Sequence, residues 1–256
     1  QASGSITDNA TGKLVGDTNG KLLAKTTATS GAANISLLGN GTNAATTNNA
    51  MASAVFATAT TGNGSVKYYD STDLTIGTVG GAGVLNTPAG VTAGTAVVST
   101  SGVSTLGGGT TNGAVTIAVG TTNAHALTVD QAILTTPTSG AGGTVILESS
   151  GAITLTAGNS GTITTTGGGA NAGGEVFIHH TSAGAADITL GKAITAKGGS
   201  GGNGAVVTVL NDSGNILVNH TIDVSLGVAG TTDGTIQLQA SGSITDNATG
   251  KLVGDT

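Results

Sequence analysis

Residues 1–18 and residues 239–256 carry one and the same sequence, QASGSITDNATGKLVGDT. Eighteen consecutive identities at an offset of 238 residues do not arise by chance, and a long internal repeat constrains the fold before any single residue does. Residues 1–238 read as one full repeat and residues 239–256 as the start of the next, identical one. The expectation is a tandem array, of which this chain is a window.

A shorter period lies inside the long one. GAVTIAV begins at Gly113, GTVILES at Gly143, GEVFIHH at Gly174, GAVVTVL at Gly204 and GTIQLQA at Gly234, so the glycines are spaced 30, 31, 30 and 30 residues apart. Apolar residues alternate behind each glycine: Val115 and Ile117, Val145 and Leu147, Val176 and Ile178, Val207 and Val209, Ile236 and Leu238. Period-two alternation is the mark of a strand with one buried face. The Gly204 unit has one extra residue before its apolar pair.

Two further short runs follow in each unit, such as AITLTAG and TITTTGG after Gly143. Three short strands per thirty residues, separated by Gly, Asn, Ser and Asp, predict a triangular coil. Strands this short bury enough surface only when equivalent strands of successive coils stack. The sequence thus predicts an all-β fold, a parallel β-helix of about eight triangular coils per 238-residue repeat. At about 4.8 Å per coil, one repeat would advance roughly 38 Å. The third-run residues Ile133, Ile163, Ile194 and Ile222 should form one inward-facing core stack. Glycine and asparagine should supply corner conformations with positive φ.

The first hundred residues are less regular. Gly64 and Gly83 are only nineteen apart, Gly83 and Gly113 thirty, and a coil is expected to start at Gly83. AVFATAT should form a strand after a corner loop rich in Ala and Asn.

Composition agrees with a thin core. The chain holds 46 Gly, 2 Pro and no Cys or Trp, with 2% aromatic and 8% charged residues. Aromatic rings would not fit a narrow solenoid, and scarce proline leaves ladder donors intact. The net charge of −6 comes with no basic cluster, which speaks against a nucleic-acid partner. Absence of Cys removes disulfides and cysteine metal sites. Apolar runs are far too short for a bilayer span.

Units such as GGTVILESSGAITLTAG and GSGGNGAVVTVLNDSGNI resemble the β-helical shafts of filamentous-haemagglutinin-type adhesins and related secreted surface proteins. The resemblance lies in pattern and composition. It implies export, an extracellular or cell-surface location, the right-handed coil and a shaft role in adhesion, aggregation or biofilm scaffolding. It brings no catalytic residue.

Chemistry is sparse. The histidines are His125, His179, His180 and His220. Neighbours on a strand face opposite ways, so His179 and His180 cannot serve one ligand. Exposed or corner positions are expected for all four. The carboxylates Asp70, Asp73, Glu148, Glu175, Asp187, Asp212, Asp223 and Asp233 are scattered, and most should cap turns. No catalytic, metal or cofactor site is expected. Phe177 should face outward beside Ile146 of the preceding coil, a candidate lateral contact, and one of Tyr68 and Tyr69 must face out. Expected partners are further copies stacked end to end, lateral copies, or surface glycans. The rival readings are a self-assembling filament or sheath subunit, a polysaccharide-active β-helix, and an ice-binding one suggested by TITTT at 162–166.

Overall fold

The computed structural model describes all residues except 1, 10, 29–30, 40–48, 59–62, 80–99, 106–112, 121–123, 159, 183 and 255–256. The chain winds as a parallel β-solenoid with three faces. The first face is an eight-stranded sheet: Ile6–Thr7, Ile35–Leu37, Val66–Asp70, Val115–Val119, Val145–Ser149, Val176–His180, Val206–Asn211 and Thr235–Ala240. The second runs through Leu74–Ile76, Leu127–Val129, Ile153–Leu155, Ile188–Leu190, Ile216–Val218 and Ile244–Asp246. The third runs through Val103–Ser104, Ile133–Leu134, Ile163–Thr164, Ile194–Thr195, Thr221–Asp223 and Lys251–Val253. Six coils therefore carry a separate strand on every face. The helical content of the described residues is one 3-10 turn, Asp17–Asn19.

Near the N-terminus one longer strand does the work of two. Ser53–Ala57 pairs with the second face through Ser53 and Ala54, and with the third through Phe56 and Ala57. Lys21–Lys25 stacks on it in the same way. Here the core admits rings: Phe56 and Tyr68 are fully buried, with centroids 5.0 Å apart.

The coil expected at Gly83 does not exist. Val66–Asp70 pairs directly with Val115–Val119, Val66 opposite Val115, which leaves no room for a strand between them. The described residues on either side of 80–99 instead form an antiparallel pair, Thr78–Val79 with Thr100–Ser101. Gly83 and Pro88 themselves lie outside the described residues.

The repeating glycines are needed for closeness. Positive φ, expected of corner glycines, is found at others such as Gly102, Gly120 and Gly169, and not at Gly113, Gly143, Gly174, Gly204 and Gly234. A Cβ on Gly143 would run into the carbonyl oxygen of Gly113, and one on Gly174 into that of Gly143. Successive corners stack backbone on backbone, and only a hydrogen fits between. The extra residue of the Gly204 unit is absorbed at this corner. Ala205 is tucked in, its amide donating to the Ala196 carbonyl at 2.9 Å, so that Val207 still meets Val176.

A threonine braces the same corner from inside. Thr105, Thr135 and Thr165 are fully buried, and their hydroxyls donate to the carbonyls of Gly113, Gly143 and Gly174 at 2.8, 2.7 and 2.6 Å. Each bond ties the end of the third face to the start of the next coil. It also satisfies a hydroxyl that would otherwise be buried without a partner.

Candidate functional site

The structure places the third-run isoleucines in a continuous file. Ile133 pairs with Ile163, Ile163 with Ile194 and Ile194 with Ile222, all of them buried. These are framework residues with no reactive group.

A second inward file is polar at four of its positions, with Val119 between Asp70 and Ser149. Asp70, Ser149, His180 and Asn211 end their first-face strands and turn inward, Ser149 opposite His180 and His180 opposite Asn211. His180 Nδ1 lies 2.9 Å from Asn211 Oδ1, and its Nε2 is buried without a partner. Asp70 accepts four bonds: from the Tyr68 hydroxyl at 2.6 Å, the Met51 amide at 3.0 Å, and the Thr72 amide and hydroxyl at 2.8 and 2.7 Å. Burial pushes the Asp70 carboxyl above the usual carboxylate range, although each of these bonds pulls it down. The Tyr68 phenol is raised as well, first by burial and then by the Asp70 charge. Sequence patterning missed this file. Alternation places the fifth strand residue inward, yet composition reads Asp, His and Asn as turn residues.

Other carboxylates do cap turns. Asp187 accepts from the Asn215 amide at 2.9 Å, Asp223 from the Ser225 amide at 2.9 Å and Asp233 from the Leu226 amide at 2.9 Å. His179 faces outward, its Nε2 3.0 Å from Asp212. His180, its neighbour, is buried on the opposite side of the strand.

Phe177 and Ile146 are register partners on the outer side of the first face, both half-buried. The Phe177 ring meets His179 edge-on at 5.6 Å. Tyr68 points inward and Tyr69 outward, with the Lys67 ammonium 5.3 Å from the Tyr69 ring centre.

Two grooves stand out among the described residues. The larger, about 640 Å³, is lined by Val15, Thr18, Ala50, Ala52, Thr72, Asp73, Thr75 and His125. Its only described ion pair joins His125 Nδ1 to Asp73 at 3.2 Å. Asp73 is 74% exposed, so the pairing is weak, and the same oxygen caps the Ala126 amide at 3.0 Å. Among the described residues no three histidines or carboxylates converge as metal ligands do.

The smaller groove, about 250 Å³, crosses the last coil and is lined by Val218, Leu238, Ile244, Thr245, Asp246, Gly250, Lys251 and Leu252. Here the core opens to solvent. Ile244 and Leu252 are 46% and 53% exposed, although they extend files that are fully buried further down. An edge of this kind presents unpaired backbone groups above an apolar floor, the arrangement that receives another strand. Six of the groove's eight lining residues belong to 239–256, the second copy of the repeated peptide.

No protein-family profile, curated protein or solved structure matches this chain.

Proposed function

We propose that this protein is a structural, non-catalytic shaft: part of an extracellular or cell-surface fibre of the filamentous-haemagglutinin-like kind, serving adhesion, aggregation or a biofilm scaffold. One observation carries the reading. The sequence of residues 1–18 recurs at 239–256, and in a solenoid a periodic sequence extends the rod coil upon coil. The scattered, turn-capping carboxylates support a structural role over a polysaccharide-cleaving one. Phe177 and Ile146 offer a lateral contact between neighbouring shafts, and surface glycans are the other partner this reading admits.

The test is a chain of two repeats, in which residues 19–256 follow Thr256. Ile6 and Ile236 are the first and eighth members of the first-face stack, and Ile244 lies one face further on. The added repeat should therefore lengthen the rod by about 35 Å, seven coils and one face at about 4.8 Å each. Electron microscopy of single particles measures this. Two separate globules, or a rod no longer than the first, would overturn the shaft reading.

In a second reading, separate chains join end to end as filament or sheath subunits. The mass of the native polypeptide under denaturing conditions separates the two, because a tandem array gives one very long chain and a filament gives short ones.

A further inference from the structure

The duplicated peptide sits in two different places on the solenoid. In its first copy Ile6 pairs with Ile35 on the first face. In its second copy the equivalent Ile244 pairs with Ile216 on the second face. The neighbouring residue agrees. Ala2 bridges to Thr26 at the end of the third face, whereas its equivalent Ala240 ends the first face opposite Asn211. Both markers advance by one face between the copies.

The two copies also use opposite sides of the peptide. In the second copy the bonds run back to the preceding coil: the Ile216 amide donates to the Ser243 carbonyl at 2.9 Å, and the Ser243 amide donates to Asn215 Oδ1 at 2.9 Å. In the first copy they run forward. The Ile6 amide donates to the Asn34 carbonyl at 2.8 Å and the Asp8 amide to the Ser36 carbonyl at 3.1 Å. The Asn34 amide donates to Ser5 Oγ at 3.0 Å and the Gly39 amide to Asp8 Oδ2 at 2.6 Å. None of these groups is used twice. Seen together, the copies display the two sides of a single strand within one joint.

We propose that the open edge at Ser243–Asp246 is the socket for Asn34–Leu37 of a following repeat in the same array, in which residues 239–256 take the place of residues 1–18, with Ile244 opposite Ile35 and Thr245 opposite Ser36. Because Ile244 belongs to the second face and Ile35 to the first, every joint turns the faces by one. The first face of each repeat then continues the second face of the repeat before it. A surface feature such as the Phe177–Ile146 pair winds around the shaft and returns to the same line after three repeats, about 106 Å along the axis. Neighbouring shafts thus meet the same contact from three directions.

This inference rests on the shaft reading, and disulfide trapping in the two-repeat chain separates the two. The protein has no cysteine of its own to interfere. Thr245→Cys in the first repeat is combined with Ser36→Cys in the second. Parallel partners lie within the Cα separation of about 4.4–6.8 Å that a disulfide spans. Thr7→Cys with Ser36→Cys in the first repeat is the control, because these two are register partners in the structure. The expected result is loss of free thiol in most molecules for both pairs under mild oxidation, with the joint confirmed by peptide mapping. If Gln237→Cys captures Ser36→Cys of the second repeat instead, the joint keeps the faces aligned and the turn is refuted. A rod of doubled length in which only the control closes refutes the socket while leaving the shaft standing. A chain that forms no doubled rod overturns the shaft itself.

Discussion

Removing one rung of the isoleucine file measures how far damage travels along the rod. Ile163 has 0% exposure and is held between Ile133 and Ile194. Ile163→Ala deletes three carbons, worth about 2.4 kcal/mol at about 0.8 kcal/mol per buried CH2. The backbone cannot collapse into the gap, because the Thr165 hydroxyl, two residues on, pins the corner to the Gly174 carbonyl at 2.6 Å. The residual cavity brings the total to about 3–4 kcal/mol. Local opening should then rise roughly 300-fold around the third-face strands 133–134, 163–164 and 194–195, since about 1.4 kcal/mol is tenfold. Each coil touches only its neighbours, so protection over Val66–Asp70 should hardly change. Hydrogen exchange read by mass spectrometry gives both numbers at once. Thr164→Ala, on the outer side of the same strand, is the control and should change little. Equal loss of protection along the whole chain would refute nearest-neighbour stability. No loss anywhere would refute the packing of Ile163.

Three more outcomes follow from the corners. Thr165→Val keeps the shape but removes the bond to Gly174, and should cost about 1 kcal/mol in urea unfolding; an unchanged midpoint would show that the bond carries no net stability. Gly174→Ala puts a methyl against the Gly143 carbonyl and should cost more than about 2 kcal/mol, whereas Gly184→Ala, with only the Ser182 hydroxyl nearby, should be nearly neutral. The folded protein holds the Asp70 proton more tightly than the unfolded chain, because burial raises its pKa. Its contribution to stability is therefore full below the unfolded carboxylate pKa and is lost as pH rises through the folded one. Melting curves between about pH 3 and 7 should show the wild type losing more stability with rising pH than Asp70→Asn does. Identical slopes would mean that Asp70 does not titrate abnormally.

The local pattern that repeats is legible in the residues alone. Alternation behind glycines thirty or so residues apart determines three short strands per coil, and periodicity alone stacks Ile133, Ile163, Ile194 and Ile222, because equal spacing returns equal residues to the same face. Phe177 against Ile146 follows from the same count. The tertiary structure decided everything that depends on what a neighbouring coil presents. It dropped the coil expected at Gly83, because strand pairing is settled by which edges meet, and Val66–Asp70 met Val115–Val119. It showed that the repeating glycines are required by the carbonyl of the coil below, a contact that lies thirty residues away and leaves no local signature. It turned Asp70 and His180 inward, where hydrogen bonds across corners accommodate groups that composition would put at the surface. Most plainly, it set two identical peptides on different faces. Eighteen residues of the same sequence share the same intrinsic preferences, so the difference comes from the coils each copy stacks on, and in a solenoid the strand a peptide pairs with fixes its place on the shaft.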